Sequence, residues 1–377
     1  MAVLEESAVR AALATVDDPE IRKPITELGM VDAVALGADG AVSVQVLLTV
    51  AGCPMKAELT RRVSEAVSRV DGVRSVDVTL GVMSAEQRQA LQQHLRGDQP
   101  ANEIPFAQPG SRTRVYAVAS GKGGVGKSSV TVNLAASLAA RGLSVGVLDA
   151  DIYGFSVPRM LGVTGKPTQV EQMIMPPVAH DVKVISIGMF TPGNTAVVWR
   201  GPMLHRALQQ FLADVFWGDL DVLLMDLPPG TGDIAISVAQ LVPSAELLVV
   251  TTPQLAAREV AERAGSIALQ THQQIVGVVE NMSWLDLPDG TRMELFGAGG
   301  GQAVADSLSQ STGTTVPLLG QIPIDQTVRE GGDDGLPVVL REPRTSAAIA
   351  LGEVADRLAK RQASLVGRSL GLTPTSR

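Results

Sequence analysis

Cysteine is almost absent from this chain of 377 residues: Cys53 stands alone. No intrachain disulfide can form, and a lone thiol fits a reducing compartment. Aromatic residues make up only 3% of the sequence, which leaves few platforms on which single-stranded nucleic acid could stack. Basic side chains are outnumbered, 31 Lys and Arg against 39 Asp and Glu, and the net charge of −8 withholds the dense positive surface that a general nucleic-acid binder needs. No apolar run approaches the length of a membrane span, and the start Met1-Ala2-Val3-Leu4-Glu5-Glu6 carries acid where a signal peptide carries base. An amphipathic C-terminal anchor is not expected either, because residues 362–377 are poor in apolar side chains and are interrupted by Gly367, Gly371 and Pro374. These absences predict a cytoplasmic protein with neither nucleic acid nor membrane as a partner. What is present, 45% hydrophobic and 19% charged residues over this length, is enough core for two domains.

The densest signal runs from Val115 to Ser128, where a short apolar run enters a glycine-rich turn and leaves it as a helical pattern. Gly121-Lys122-Gly123-Gly124-Val125-Gly126-Lys127-Ser128 fits G-x-x-x-x-G-K-[ST] in the strand-turn-helix setting which that motif requires. Its glycines let successive backbone N–H groups converge on phosphate oxygens, and the helix N-terminus adds partial positive charge. Lys127 is placed to reach the outer phosphates and the Ser128 hydroxyl to hold magnesium, so ATP and Mg2+ are the expected ligands. A glycine-rich turn without a ligand is the plain alternative.

Ahead of this motif the chain reads as a smaller α/β unit. Leu4, Ala8, Ala11, Ala12 and Val16 have helical spacing, residues 42–50 and 72–80 are strand-like, and residues 55–69 are helical. Pro54 suits a first helical position, which puts Cys53 at or beside a helix N-terminus, where the dipole favours thiolate. A buried, inert cysteine is the equal alternative. Gly97, Pro100, Pro105, Pro109 and Gly110 then mark a linker. The expected division is 1–95 for the small domain, 96–113 for the linker, 114–362 for the P-loop domain and 363–377 for a tail.

Beyond the P-loop, Val130, Leu134, Ala135 and Leu138 share a helix face, and residues 144–148 form a buried strand ending in Asp149-Ala150-Asp151. Two carboxylates at the end of a strand beside a phosphate loop can reach magnesium and an attacking water; a pair of turn-forming aspartates is the alternative. A second apolar strand ends at Asp226, the form of the motif whose carboxylate holds magnesium through water, and Gly230 and Gly232 in Asp226-Leu-Pro-Pro-Gly-Thr-Gly-Asp233 leave the next loop free to switch. Strands at 246–252 and 274–279 follow, with a helix at about 256–269 between them and a closing helix at 345–361. The alternation predicts an α/β fold: a P-loop NTPase with a doubly wound, mostly parallel sheet and a smaller N-terminal α/β domain.

Lys122 inside the loop makes Lys122-Gly-Gly-Val-Gly-Lys127 resemble the deviant P-loop of dimeric ATPases that include the nitrogenase iron protein and the cell-division and partition ATPases. That resemblance implies a homodimer in which Lys122 crosses to the partner's nucleotide; a solvated turn lysine is the alternative. Asp18-Pro19-Glu20, Leu28-Gly-Met-Val31 and Thr49-Val-Ala-Gly-Cys53-Pro54 resemble the small domain of iron-sulfur assembly factors. With Asp149-Ala-Asp-Ile-Tyr-Gly154, Trp199-Arg-Gly-Pro-Met203, Glu280-Asn-Met-Ser283 and Phe296-Gly-Ala-Gly-Gly-Gly301 added, the chain is similar to the Mrp-type iron-sulfur cluster carrier ATPases from about residue 4 to 360.

The resemblance implies slow ATP hydrolysis and delivery of an iron-sulfur cluster to apoprotein clients. It assigns Asp151 to orient the attacking water, Asp149 and Asp226 to magnesium, Asn281 to the adenine edge and Asp325, in the loop Gln321-Ile-Pro-Ile-Asp325, to a place beside the base. A capping or turn role for Asn281 competes. One departure stands out: between Ser283 and Phe296 the family carries a Cys-x-x-Cys pair, and here Leu287 and Gly290 stand at about those places. Cys53 is then the one candidate cluster ligand per chain. A cluster carrier, a metal-free ATP-gated scaffold and a positioning ATPase remain as readings.

Overall fold

The chain divides into two units, each with buried hydrophobic side chains of its own. The first comprises Met1–Glu103, Thr164–Val178 and Ala213–Gly218; the second comprises Ile104–Val163, Ala179–Leu212 and Asp219–Arg377. The computed structural model describes residues 4–50, 55–97, 103–108, 110–152, 154–190, 201–230, 233–254, 264–266 and 268–360. Cys53, Trp199, Arg200, Thr231, Gly232, most of the helix expected at 256–269 and the tail from 363 lie outside the described residues.

In the first unit, β1 (Val31–Leu36), β2 (Ala41–Leu48) and β3 (Ser75–Val82) form a sheet in that order. β1 and β2 run antiparallel and β2 and β3 parallel, so the second connection needs a crossover, supplied by the helix Lys56–Ser68. β2 buries Val42, Val44 and Val46 at period two, and the helix buries Leu59, Val63 and Val67 at helical period. Both sets join Val9, Leu13 and Ile25 in one core. β1 and the helix Ala85–Arg96, whose Ser84 and Gln87 form a capping box, were not among the expected elements. Nor did the sequence assign to this unit the hairpin Thr168–Val170 and Met173–Met175. Its Val170, Met173 and Met175 complete the same core with Phe216.

The second unit is built on seven parallel strands: β4 (Arg114–Ala119), β5 (Val145–Asp149), β6 (Val182–Ser186), β7 (Val222–Asp226), β8 (Glu246–Thr251), β9 (Ile275–Asp286) and β10 (Leu318–Ile324). They pair in the order β10-β9-β8-β4-β7-β5-β6. Alternate residues of the central strands, Tyr116, Val118, Val147, Leu224 and Leu248, enter one core with the helices Lys127–Ala139 and Ser346–Lys360. The residues between them, Val115, Ala117, Leu148, Leu223 and Val249, are buried as well, so both faces of the sheet are covered, as a parallel sheet requires. The fold is the doubly wound α/β architecture that the strand-helix alternation predicts. No helix among the described residues is long and apolar enough to cross a membrane.

Two local expectations change. The strand expected at 274–279 runs on through Asn281 to Asp286 as β9, with Met282 at φ 59° and a register shift against β10 between Asn281 and Leu285. Gln321 to Ile324 is not a loop but the end of β10, and Asp325 caps the helix Gln326–Asp334 by accepting from the Thr327 amide.

Candidate nucleotide site

Strand register creates the site. Asp226 at the end of β7 lies opposite Val118 of β4 on one side and Asp149 of β5 on the other. Because all three strands are parallel, the glycine loop after β4, Asp149-Ala150-Asp151 and the loop after Asp226 leave the sheet at the same edge, where open α/β sheets bind ligands. The Gly230 amide donates to the Ser120 carbonyl at 2.8 Å, tying the third loop to the first.

Within the glycine loop, Gly124 and Gly126 take φ of +77° and +78°, the left-handed region that a side chain resists. Gly126 is the residue from which the helix Lys127–Ala139 springs. A Cβ there would also run into Nδ2 of Asn281, which donates to the Val125 carbonyl at 2.9 Å. Asn281 therefore braces the loop from β9, and glycine at 126 is what lets it approach.

Asp226 is fully buried and gathers three donors. Lys127 Nζ lies 2.8 Å from Oδ2, Ser128 Oγ donates to the same oxygen at 2.6 Å, and Thr131 Oγ1 lies 2.7 Å from Oδ1. Lys127 itself is only 6% exposed. Asp149 is equally buried; Ser186 Oγ and the amides of Asp151 and Val157 donate to it at 3.1, 3.2 and 3.4 Å. Burial, aggravated by the negative charge of Asp226, pushes the Asp149 carboxyl up to about 7 from its ordinary 3.8, against those hydrogen bonds and the charge of Lys127. Asp151, 7% exposed, accepts from the Gly154 amide at 3.0 Å.

Hydroxyl and carboxylate oxygens are hard ligands suited to magnesium, which keeps several waters and takes few protein groups. Ser128, Asp149 and Asp226 provide that donor set, and among the described residues no group of three His, Cys, Asp or Glu side chains converges as a cage for another metal. Lys122 is turned toward Gln254, whose Oε1 its ammonium contacts.

Beside the glycine loop opens a cavity of about 600 Å³. Gly126, Ser129, Asn281 and Asp325 line it, with Met282, Phe296 and Pro323 from the quoted motifs, and so does Arg329, which sequence reasoning did not single out. Mostly apolar walls with a few polar groups suit a base and sugar. The Asp325 Oδ1 is also held by the amide and hydroxyl of Thr327, at 2.8 and 2.6 Å. Thr131 was missed as well, although its place four residues after Lys127 puts both on one helix face. The side chain of Asp233 and the cysteine at 53 lie outside the described residues.

Comparison with known proteins bears on the whole chain. Residues 111–359 match the family model of the NUBPL iron-transfer P-loop NTPase, and residues 6–80 match that of an iron-sulfur cluster assembly protein. The iron-sulfur cluster carrier protein of Mycobacterium tuberculosis is 67% identical over 98% of this chain and 97% of its own length. That of Bacillus subtilis is 40% identical over 86% and 89%. Among solved structures, a nucleotide-binding protein from Archaeoglobus fulgidus in complex with ADP is 34% identical over 62% of this chain and 90% of its own, with a TM-score of 0.53.

Proposed function

This chain belongs to the NUBPL iron-transfer P-loop NTPase family, and we propose that it is a homodimeric ATPase that carries iron-sulfur clusters to apoprotein clients. One observation supports the ATPase above others: Lys127 and Ser128 both reach Asp226 Oδ2 within 2.8 Å beside Asp149, under a glycine loop of the required backbone form. Lys127 leaves Asp226 for the outer phosphates, and its charge offsets theirs as the terminal phosphoryl group transfers to water. Ser128, and Asp226 through water, would hold magnesium, which would supply further positive charge for the phosphates. Asp151 orients the attacking water, while Asn281 and Asp325 border the base. Lys122 of each subunit releases Gln254 and adds a cation at the partner's transferred phosphate. Release of ADP and phosphate follows, with little covalent work for the protein to do.

The cargo is the less ordinary part. A four-iron cluster takes four thiolates, and a dimer of this chain brings two, both Cys53. Carriage therefore uses Cys53 of both subunits with further ligands from a client or a small thiol. The same cysteine count favours a second reading, an ATP-gated scaffold that binds apoproteins without metal. Anaerobic reconstitution with iron and sulfide separates the two. Stoichiometric iron that disappears in Cys53→Ser supports the carrier. Iron-free wild type with ATP-dependent capture of apoprotein supports the scaffold.

A further inference from the structure

We propose that Thr131 is the positioning residue for Asp226, holding its carboxylate in place after the nucleotide has drawn the other donors away. The proposal rests on the ATPase reading above. Of the three side chains that donate to Asp226, two have other duties in that reading: Lys127 goes to phosphate and Ser128 to magnesium. Both serve Oδ2. Among the described residues Thr131 alone serves Oδ1, and it has no ligand to go to.

Its hydroxyl has one proton and two acceptors within reach, the Lys127 carbonyl at 3.0 Å and Asp226 Oδ1 at 2.7 Å. The shorter bond to the charged acceptor is the stronger. Thr131 is 0% exposed, so no solvent can substitute for it, and a carboxylate oxygen stripped of its donor there would stay unpaired. With Oδ1 tied to the helix Lys127–Ala139, Oδ2 is the oxygen left for a magnesium-bound water once Lys127 and Ser128 have been drawn away. The helix that carries Lys127 and Ser128 thus also aims the carboxylate of another strand, through a residue one turn farther on.

The test compares Thr131→Val, which keeps shape and loses the hydroxyl, with Thr131→Ser, which keeps the hydroxyl. Two quantities are read in the full-length protein: the Mg2+ concentration for half-maximal ATP hydrolysis, and ATP affinity by calorimetry in EDTA. Thr131→Val should raise the Mg2+ requirement about tenfold or more, as expected for a lost bond to a buried charge. Its ATP affinity in EDTA should stay within about twofold of wild type, and Thr131→Ser should restore the Mg2+ requirement. Should Thr131→Val not fold, Thr131→Ala carries the same expectation. A wild-type Mg2+ requirement in the hydroxyl-free variant overturns the proposal, as does an equal defect in Thr131→Ser, which would make the role one of packing. Wild-type protein that neither binds nor hydrolyses ATP overturns the ATPase reading and this proposal together.

Discussion

Replacing Asp149 by asparagine should make the nucleotide-free protein more stable, and by an amount that grows with pH. The Asp149 carboxyl is raised to about 7 from 3.8, first by burial and then by the charge of Asp226 next to it in register. Below about pH 4 the group is protonated in the folded and the unfolded chain alike, and contributes no pH dependence. Between about 4 and 7 the folded chain keeps the proton that the unfolded chain has lost. The folded state then binds more protons, so stability falls as pH rises, by about 1.4 kcal/mol per unit. Across the roughly three units of the shift this amounts to about 4 kcal/mol, a sizeable part of the 5–15 kcal/mol by which a domain is usually stable. Above about pH 7 the loss levels off. Asparagine keeps an oxygen to accept from Ser186 or the Asp151 amide and never ionises, so its own cost is a constant offset. Urea unfolding of both proteins at pH 5, 6, 7 and 8, without nucleotide or magnesium, reads the difference directly, and groups common to both cancel. The advantage of Asp149→Asn should widen steeply from pH 5 to 7 and then flatten. A difference that stays constant across that range refutes the assignment of a raised carboxyl to Asp149.

Binding of magnesium and nucleotide near pH 7 should expel that proton, because a cation beside Asp149 favours the carboxylate; calorimetry in buffers of different ionisation enthalpy should give a slope of up to about one proton. Lys127→Ala should abolish nucleotide binding and lower stability by about 3 kcal/mol, since it leaves Asp226 buried without its cation; fluorescent-nucleotide titration and thermal melting check the two effects. Gly126→Ala should weaken nucleotide binding far more than Gly124→Ala. Both have positive φ, but only the Cβ at 126 meets Asn281 while the one at 124 meets nothing within 4 Å. Equal losses in the two variants would remove Asn281 from the bracing of the loop. Asp151→Asn should bind ATP normally and fail to turn it over, which single-turnover assays read separately.

The parts of the site that could be read from the sequence are those set by contiguous backbone. A strand, a glycine turn and a helix fit one motif, and an apolar run ending in acid fits another. What could not be read depends on which strands become neighbours. That Asp149 and Asp226 lie side by side, so that the charge of Asp226 raises the cost of ionising Asp149, follows from the pairing of β5 with β7 and from no local pattern. The bond from Asn281 to Val125 is likewise a product of sheet order. β10 escaped notice for a physical reason: Gly320 and Pro323 argue against a strand, yet β10 pairs with β9 alone among the seven, and an edge tolerates a residue without an N–H. β1 was missed because its residues are exposed or only half-buried, which leaves its sequence little apolar period to show. The hairpin at residues 168–175 reads as part of the domain in which it is embedded, and only the packing of Val170, Met173 and Met175 places it in the other core.

Two buried carboxylates, Asp149 and Asp226, lie beside one buried cation, Lys127. Lys127 pairs with Asp226, while burial and the charge of Asp226 raise the Asp149 carboxyl to about 7, so that below about pH 7 it holds a proton. Lys127 cannot move to a phosphate by itself without leaving Asp226 buried and uncompensated. Ser128, Asp149 and Asp226 would hold a divalent cation there, and the charge it would supply beside both carboxylates would let Asp149 give up its proton and Lys127 turn to phosphate. Nucleotide and magnesium are therefore expected to enter as a unit, each strengthening the other. The same arrangement explains why hydroxyls surround Asp226. Thr131 carries no charge to lose and has no ligand to go to, so when Lys127 turns to phosphate and Ser128 to magnesium it keeps the carboxylate hydrogen-bonded without competing with the metal for its charge.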